Sequence, residues 1–184
     1  MKPDAMDLKS NTRHPWGLAH QFARASWMVV WALFGRGGPR ALSPWRILLL
    51  RLFGADIGRG VLVCSGVKVL LPWNLRIENY TAIGEGVDIY NYAPVHIGAN
   101  TCVSQRVWLC TGTHDYNVPS FPLTWDAIRV GSGVWIAAEC FVAPGVTIGD
   151  GAVVGARSVV TRDLGSDAIY AGNPCVLIKP RRRA

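Results

Sequence analysis

Acidic residues are scarce in this chain: 12 Asp and Glu stand against 19 Lys and Arg in 184 residues, a net charge of +7. That balance points to an anionic partner, such as a phosphorylated cofactor, an acidic membrane or nucleic acid. Charged residues of either sign make up only 17% and half the chain is hydrophobic, which excludes a disordered polymer. Long apolar runs are missing as well. Ala25–Phe34 stops after ten residues at Gly35, Gly37, Gly38 and Pro39, and Trp45–Phe53 is broken by Arg46 and Arg51. A spanning helix needs about twenty. The first twenty residues lack an apolar core and carry Lys, Asp, Arg and His, so no signal peptide is expected. There is no CxxC among the five cysteines (Cys64, Cys102, Cys110, Cys140, Cys175), so neither a zinc knuckle nor a redox pair is indicated. They read as small buried apolar residues in a reducing compartment. No P-loop, GxGxxG or HExxH occurs. The basic residues form no stripe interleaved with aromatics, which speaks against nucleic acid. Lys179, Arg181, Arg182 and Arg183 cluster near the end of the sequence, either as a solvated tail or as anion ligands.

What is abundant is turn-forming residues and tryptophan, with 20 Gly, 11 Pro and 8 Trp. From Ile57 onward aliphatic residues recur every six positions. The runs are Ile57, Val63, Val69, Leu75, then Ile77, Ile83, Ile89, Val95, then Ile97, Val103, Leu109, and after an interruption Val130, Ile136, Val142, Ile148, Val154, Val160. Ile, Leu and Val total 47 of 184 residues. Six hits in one fixed phase then have a chance of about three in ten thousand. Period six is neither helical nor that of a simple strand; it is a short strand and a turn repeated as one side of a coil, the signature of a parallel β-helix. The residue after the aliphatic one is often small (Gly58, Gly84, Gly98, Gly131, Gly149, Gly155), and a corner dihedral that glycine tolerates is the expected reason. Four residues after it stand Val61, Val67, Val87, Val107, Val134, Cys140, Val146, Ala152 and Ser158, which suit a narrow interior.

This predicts an all-β chain: about five coils over residues 53–163, a helical, amphipathic segment over 1–52, and a C-terminal cap over 164–184. Half of the tryptophans lie in the first 45 residues, beside arginines. That segment is either an interfacial helix at the inner face of a membrane or a helix packed on the main domain or a neighbouring subunit. The interruption 113–127 ejects about fifteen residues from the coil, and loops of that length are usually functional.

Histidines number only four: His14, His20, His96 and His114. Two precede the coil, and His96 falls on a phase step and should face outward. His114, where the coil gives way to the loop, is the best placed to act as a general base, the alternative being a loop histidine that merely hydrogen-bonds. Asp115 is a candidate orienter, although neighbours in sequence need not meet. Asn91, in YNYAP, reads as a corner residue in a left-handed conformation. Ser104 reads as a packing residue.

The stretches GVWIAAECFVAPGVTIGDGAVVGARSVVTRDL (133–164) and YAGNPCVLI (170–178) resemble the left-handed β-helix, hexapeptide-repeat acyltransferases. LLRLFGADIGRG (49–60), VSQRVWLCTGTHDY (103–116) and PSFPL (119–123) are most similar to the acetyltransferases of colanic acid and related exopolysaccharide biosynthesis. Maltose, galactoside and nodulation-factor acetyltransferases are cousins. The resemblance implies a left-handed coil, a cytoplasmic homotrimer with sites between subunits, acetyl-coenzyme A as co-substrate without a metal, and a sugar or lipid-linked sugar as acceptor. It implies that His114, in THDY, is the catalytic base and that Asn91 lies on the same surface. It implies that Ala138 offers a backbone N–H near the thioester and that Ala156, Thr161 and Arg162 line the pantetheine and nucleotide path. Trp135 would flank the cofactor groove or pack on the coil face, and Lys179 and Arg181 would neutralise phosphates. The chain departs from its cousins at Ala138, often polar, and Val176, often basic. A gamma-type carbonic anhydrase on the same scaffold would need three coil histidines and this chain has two, His96 and His114. A non-enzymatic scaffold would leave the ejected loop without a purpose.

Overall fold

The computed structural model describes residues 6, 7, 9 and 16–182; His14 and Arg183 lie outside them. The six-residue rhythm becomes a three-sided parallel β-solenoid. Its first side starts at Asp56–Ile57 and its second at Leu62–Val63; its third starts at Lys68–Val69. Five complete turns stack in register, with Ile57 over Ile77, Val63 over Ile83 and Val69 over Ile89. Ala168–Ala171 adds a sixth parallel strand to the second side, and Val176–Pro180 folds back on it antiparallel.

The aliphatic positions and those four residues later point inward. Ile83, Ile97, Val103, Leu109, Ile136, Val142, Val154 and Val160 are fully buried, as are Val87, Val107 and Ala152. Spacing is six at every crossing of the first corner (57 to 63, 77 to 83, 97 to 103, 130 to 136, 148 to 154) and of the second (63 to 69 through 154 to 160). All variation in length falls at the third corner. There Val69 leads to Ile77, Ile89 to Ile97, Leu109 to Val130 and Val142 to Ile148.

The glycines after the aliphatic position serve a different purpose from the one expected. Their φ is not left-handed. They are small because the next turn presses on them: a Cβ on Gly98 would lie 2.6 Å from the main chain of Gly131 and Ser132. The left-handed residue comes two positions later and is often not glycine, as at Tyr80, Asn100, Arg106, Glu139 and Arg157. Gly98→Ala is therefore expected to cost about 1–3 kcal/mol, since backbone cannot yield. Gly133→Ala meets nothing within 4 Å and carries only the left-handed φ of +66°, about 1 kcal/mol. Thermal melting of the two variants checks this; an equal or smaller loss for Gly98→Ala contradicts the close-approach account.

A solenoid's first turn leaves main-chain groups with no turn below them. Helices α1 (Leu18–Val30) and α2 (Ser43–Leu52) supply the partners. The indoles of Trp27 and Trp31, stacked 4.8 Å apart, donate to the carbonyls of Val69 (2.8 Å) and Val67 (2.9 Å). Ser43 Oγ accepts from Val63 N–H, and Arg51 donates to the Ile57 carbonyl at 2.7 Å. Arg46, wholly buried, donates to the carbonyls of Gly35, Gly37, Gly38, Pro39 and Val63. One face of the segment thus packs on the coil. Among the described residues no helix is long and apolar enough to cross a membrane. At the other end Arg181 reaches back along the coil and donates through Nη1 to the carbonyls of Gly133 and Gly151.

Candidate active site

The residues ejected at the third corner form an antiparallel hairpin, Gly112–His114 paired with Leu123–Trp125, His114 facing Leu123. His114 is half-buried. Its ring stacks on Phe121 with centroids 4.3 Å apart and planes 7° from parallel, and Nδ1 lies 2.9 Å from the Phe121 carbonyl oxygen. A carbonyl only accepts, so Nδ1 carries the proton and Nε2 holds a free lone pair. Phe121 adopts φ +47°, which costs a non-glycine residue about 1 kcal/mol; this turn aims its carbonyl at the imidazole. The orienter is therefore main chain. The candidate Asp115 is occupied elsewhere: its carboxylate accepts from Asn117 N–H at 2.9 Å and its own N–H donates to the Pro122 carbonyl.

Asn91 is also corrected. It is fully buried, its Oδ1 accepting from Leu71 N–H (3.0 Å) and its Nδ2 donating to Leu71 O (2.7 Å), so it lies inside the coil rather than on the surface of His114. It turns inward because the corner leaves the Leu71 peptide groups without another partner, and its φ is not left-handed.

Beside the hairpin stands an aromatic wall that sequence reasoning missed. Tyr92 stacks between Trp16 (5.2 Å) and Trp125 (6.2 Å), and its hydroxyl lies 3.2 Å from that of Tyr90. Gly112 lets the strand pass: a Cβ there would fall 3.1 Å from the Tyr92 ring. Burial, then the bond to Tyr92, pushes the Tyr90 phenol up, so it stays protonated at neutral pH. The same cluster holds three buried polar atoms without a partner, His20 Nε2, Arg24 Nε and Trp73 Nε1. The YNYAP run was the available signal for the tyrosines; Trp16 gave none.

The expected cofactor residues lie elsewhere on the chain. Trp135, 48% exposed, stands outward on the second side in a column with Cys102, Val153 and Ile169. Its indole donates to Ser104 Oγ at 3.0 Å, which gives Ser104 a polar role in place of the packing role expected. Ala138 and Ala156 occupy equivalent places at the second corner. Asn79 and Asp150 accept from the N–H below them, of Arg59 and Ser132. Ala156 has no such oxygen to offer Ala138. Next to them Glu139 bridges Arg106 and Arg157. The bond from Arg106, then that from Arg157, holds its carboxyl below the usual range, so the bridge exists at neutral pH and is lost as acid protonates it. Lys179 lines a cleft of about 470 Å3 with Ile169, Pro180 and Arg182. Arg181 is spent in part on the coil carbonyls described above. Thr161 and Arg162 are exposed at the third corner.

The candidates thus divide. His114 belongs to the third corner, and Ala138 and Ala156 to the second. The full third side of the prism, roughly 15–20 Å at strand rise, separates them within one chain.

Of the cysteines, Cys110, Cys140 and Cys175 are buried and burial pushes their thiols up. Cys102 is exposed on the second side and Cys64 half-buried, because both occupy outward or corner positions and not the inner one. His96 faces outward and meets Glu78 at 2.9 Å. Among the described residues no group of three or more His, Cys, Asp or Glu is placed to hold a metal ion.

The family model for bacterial transferase hexapeptide (six repeats) matches residues 127–162. Over 155 residues the chain is 43% identical to a protein of Escherichia coli (strain K12) named as the colanic acid biosynthesis acetyltransferase WcaF, covering 84% of this chain and 85% of that one. The chain is a hexapeptide-repeat acetyltransferase. This acetyltransferase is also 29% identical over 154 residues to the galactoside O-acetyltransferase of the same organism, covering 79% and 73% of the two chains. The structure of galactoside acetyltransferase in complex with coenzyme A has the same fold, with a TM-score of 0.83 over 95% of this chain and 89% of that chain at 24% identity.

Proposed function

We propose that this acetyltransferase moves an acetyl group from acetyl-coenzyme A to a sugar hydroxyl in exopolysaccharide assembly, with His114 as general base. The observation that carries the reading is the bond from His114 Nδ1 to the Phe121 carbonyl, which leaves Nε2 free to accept a proton. Acetyl-coenzyme A supplies an acyl group on a thioester. Nε2 takes the proton of the acceptor hydroxyl as its oxygen attacks the acyl carbon, and returns it to the departing sulfur. No covalent enzyme intermediate is needed. The protonated Tyr90 and the rings of Tyr92 and Trp125 offer hydrogen bonds and flat apolar faces, which suit a sugar.

The second side fits the donor. Its outward column of Trp135, Val153 and Ile169 is apolar and ends at Lys179 and Arg182, which would meet the phosphates. Trp135 would flank the groove, and the Ala138 N–H, with no acceptor above it, would face the acyl oxygen. Because base and donor groove lie on different corners, they meet when the third corner of one subunit adjoins the second corner of the next. A closed homotrimer does this three times. A lipid-linked sugar at the inner face of the membrane is the acceptor class we favour.

Release of free thiol from acetyl-coenzyme A, followed across a panel of sugar acceptors, tests the activity. Co-expressed His114→Ala and Ala138→Trp chains test the shared site. Each alone is inactive, and random mixing restores about a quarter of the sites. Mixtures as dead as their parents would show that each chain works by itself.

A further inference from the structure

The N-terminal helices have a second face that the solenoid does not use. Trp27 of α1 and Trp31 of the helical turn Trp31–Gly35 that continues it face inward; on the opposite side Leu18, Phe22, Val29 and Leu33 form a stripe at helical spacing, 59–83% exposed. In α2, Leu49 and Leu50 face the coil while Trp45, Leu48 and Leu52 face out, and Phe34 and Leu42 continue the apolar surface between the helices. A helix apolar on both faces is ordinarily covered on both.

Charge says what covers this one. Residues 8–55 contain seven Lys and Arg and not one Asp or Glu, whereas residues 56–184 hold eleven basic and ten acidic residues. The excess positive charge of the chain therefore belongs to its helical end. Arg46 is consumed inside the fold, but Arg36 and Arg40 stand exposed in the connection between the helices, beside the apolar surface. A second copy docking face to face would bring these cations against their own equivalents. An anionic bilayer would not. It offers apolar depth for the stripes and negative headgroups for the arginines. The 13 residues of α1 span about 20 Å, too short to cross and suited to lying in the interface.

We infer that the outer face of α1 and α2 docks on an anionic lipid surface, with Phe22, Val29, Leu33, Leu48 and Leu52 in the acyl boundary and Arg36 and Arg40 at the headgroups. A pocket of about 310 Å3 under α1 runs from Met28 and Ala32 to Tyr90 of the aromatic wall. The inference stands apart from the transfer chemistry, since lipid binding requires neither acetyl-coenzyme A nor a sugar.

Flotation of the full-length protein with vesicles tests it, using phosphatidylcholine alone and phosphatidylcholine mixed with phosphatidylglycerol. The protein is expected to float with the mixed vesicles only, and to be released by high salt. Each arginine near such a surface changes partitioning about fivefold, so Arg36→Gln with Arg40→Gln lowers it about 25-fold. Phe22→Ser with Leu33→Ser abolishes flotation. Arg36 meets the coil through its main-chain carbonyl, which accepts from Gly66 N–H and survives the side-chain change, and the other three side chains are exposed, so melting temperature and particle mass stay at the wild-type values. Wild-type protein that floats with neither vesicle, or equally with both, overturns the inference. A smaller particle for Phe22→Ser with Leu33→Ser would show instead that a second copy covers this face.

Discussion

Alanine at position 114 lowers acetyl transfer by about a thousandfold, the middle of the range for a positioned acid–base group. Binding of coenzyme A survives, because the proposed donor groove is built from the second side and not from the hairpin. Two measurements separate these effects: thiol release gives the rate, and the rise in melting temperature with added coenzyme A reports the bound ligand. A variant that kept most of its turnover would remove His114 from the chemistry. One that lost the thermal shift together with the rate would mean that His114 helps to hold the donor. Asp115→Asn serves as the contrast. Its carboxylate touches Asn117 and not the imidazole, so the rate should change little.

The largest loss of stability is expected from Arg46→Met. Methionine fills much of the same volume but strands five carbonyls, four of them from the glycine- and proline-rich connection Gly35–Pro39. Buried acceptors without partners cost about 1–3 kcal/mol each where water cannot reach them. Partial relaxation of the connection brings the total to about 3–5 kcal/mol. Lysine should rescue little, since an ammonium with three donors cannot reproduce a planar fork reaching five oxygens. Urea unfolding gives the number. A midpoint close to wild type for Arg46→Met would show that the first turn of the coil does not need its helical cap.

The coil was readable because its rule is local and repeats: a residue inward, four more to the next inward one, six to the matching residue on the next side. The place of His114 at the start of the hairpin was readable, and scarcity made it the candidate, one of four histidines and the one at the point of interruption. Its partner was not, since the Phe121 carbonyl has no side-chain signature and depends on an unusual φ seven residues away. Asn91 misled because an asparagine at a corner can serve main chain or substrate, and only the position of Leu71, twenty residues earlier, decides. The aromatic wall joins Trp16 to Tyr92 and Trp125 across most of the chain, a contact no periodicity encodes. The glycines of the first two corners were correctly seen as necessary and wrongly explained, because the pressure on Gly98 comes from Gly131, a full turn away.

All length variation in the solenoid is confined to the third corner, which is where this fold absorbs inserted chain. An insertion there lengthens the path outside the stack and leaves every rung above and below in place. The edge proposed to carry the base and meet the acceptor can therefore change in length, whereas the edge proposed to hold the donor keeps a strict count of six. On the proposed reading, one hinge of the prism can alter its acceptor contacts while the donor edge keeps its place in the stack.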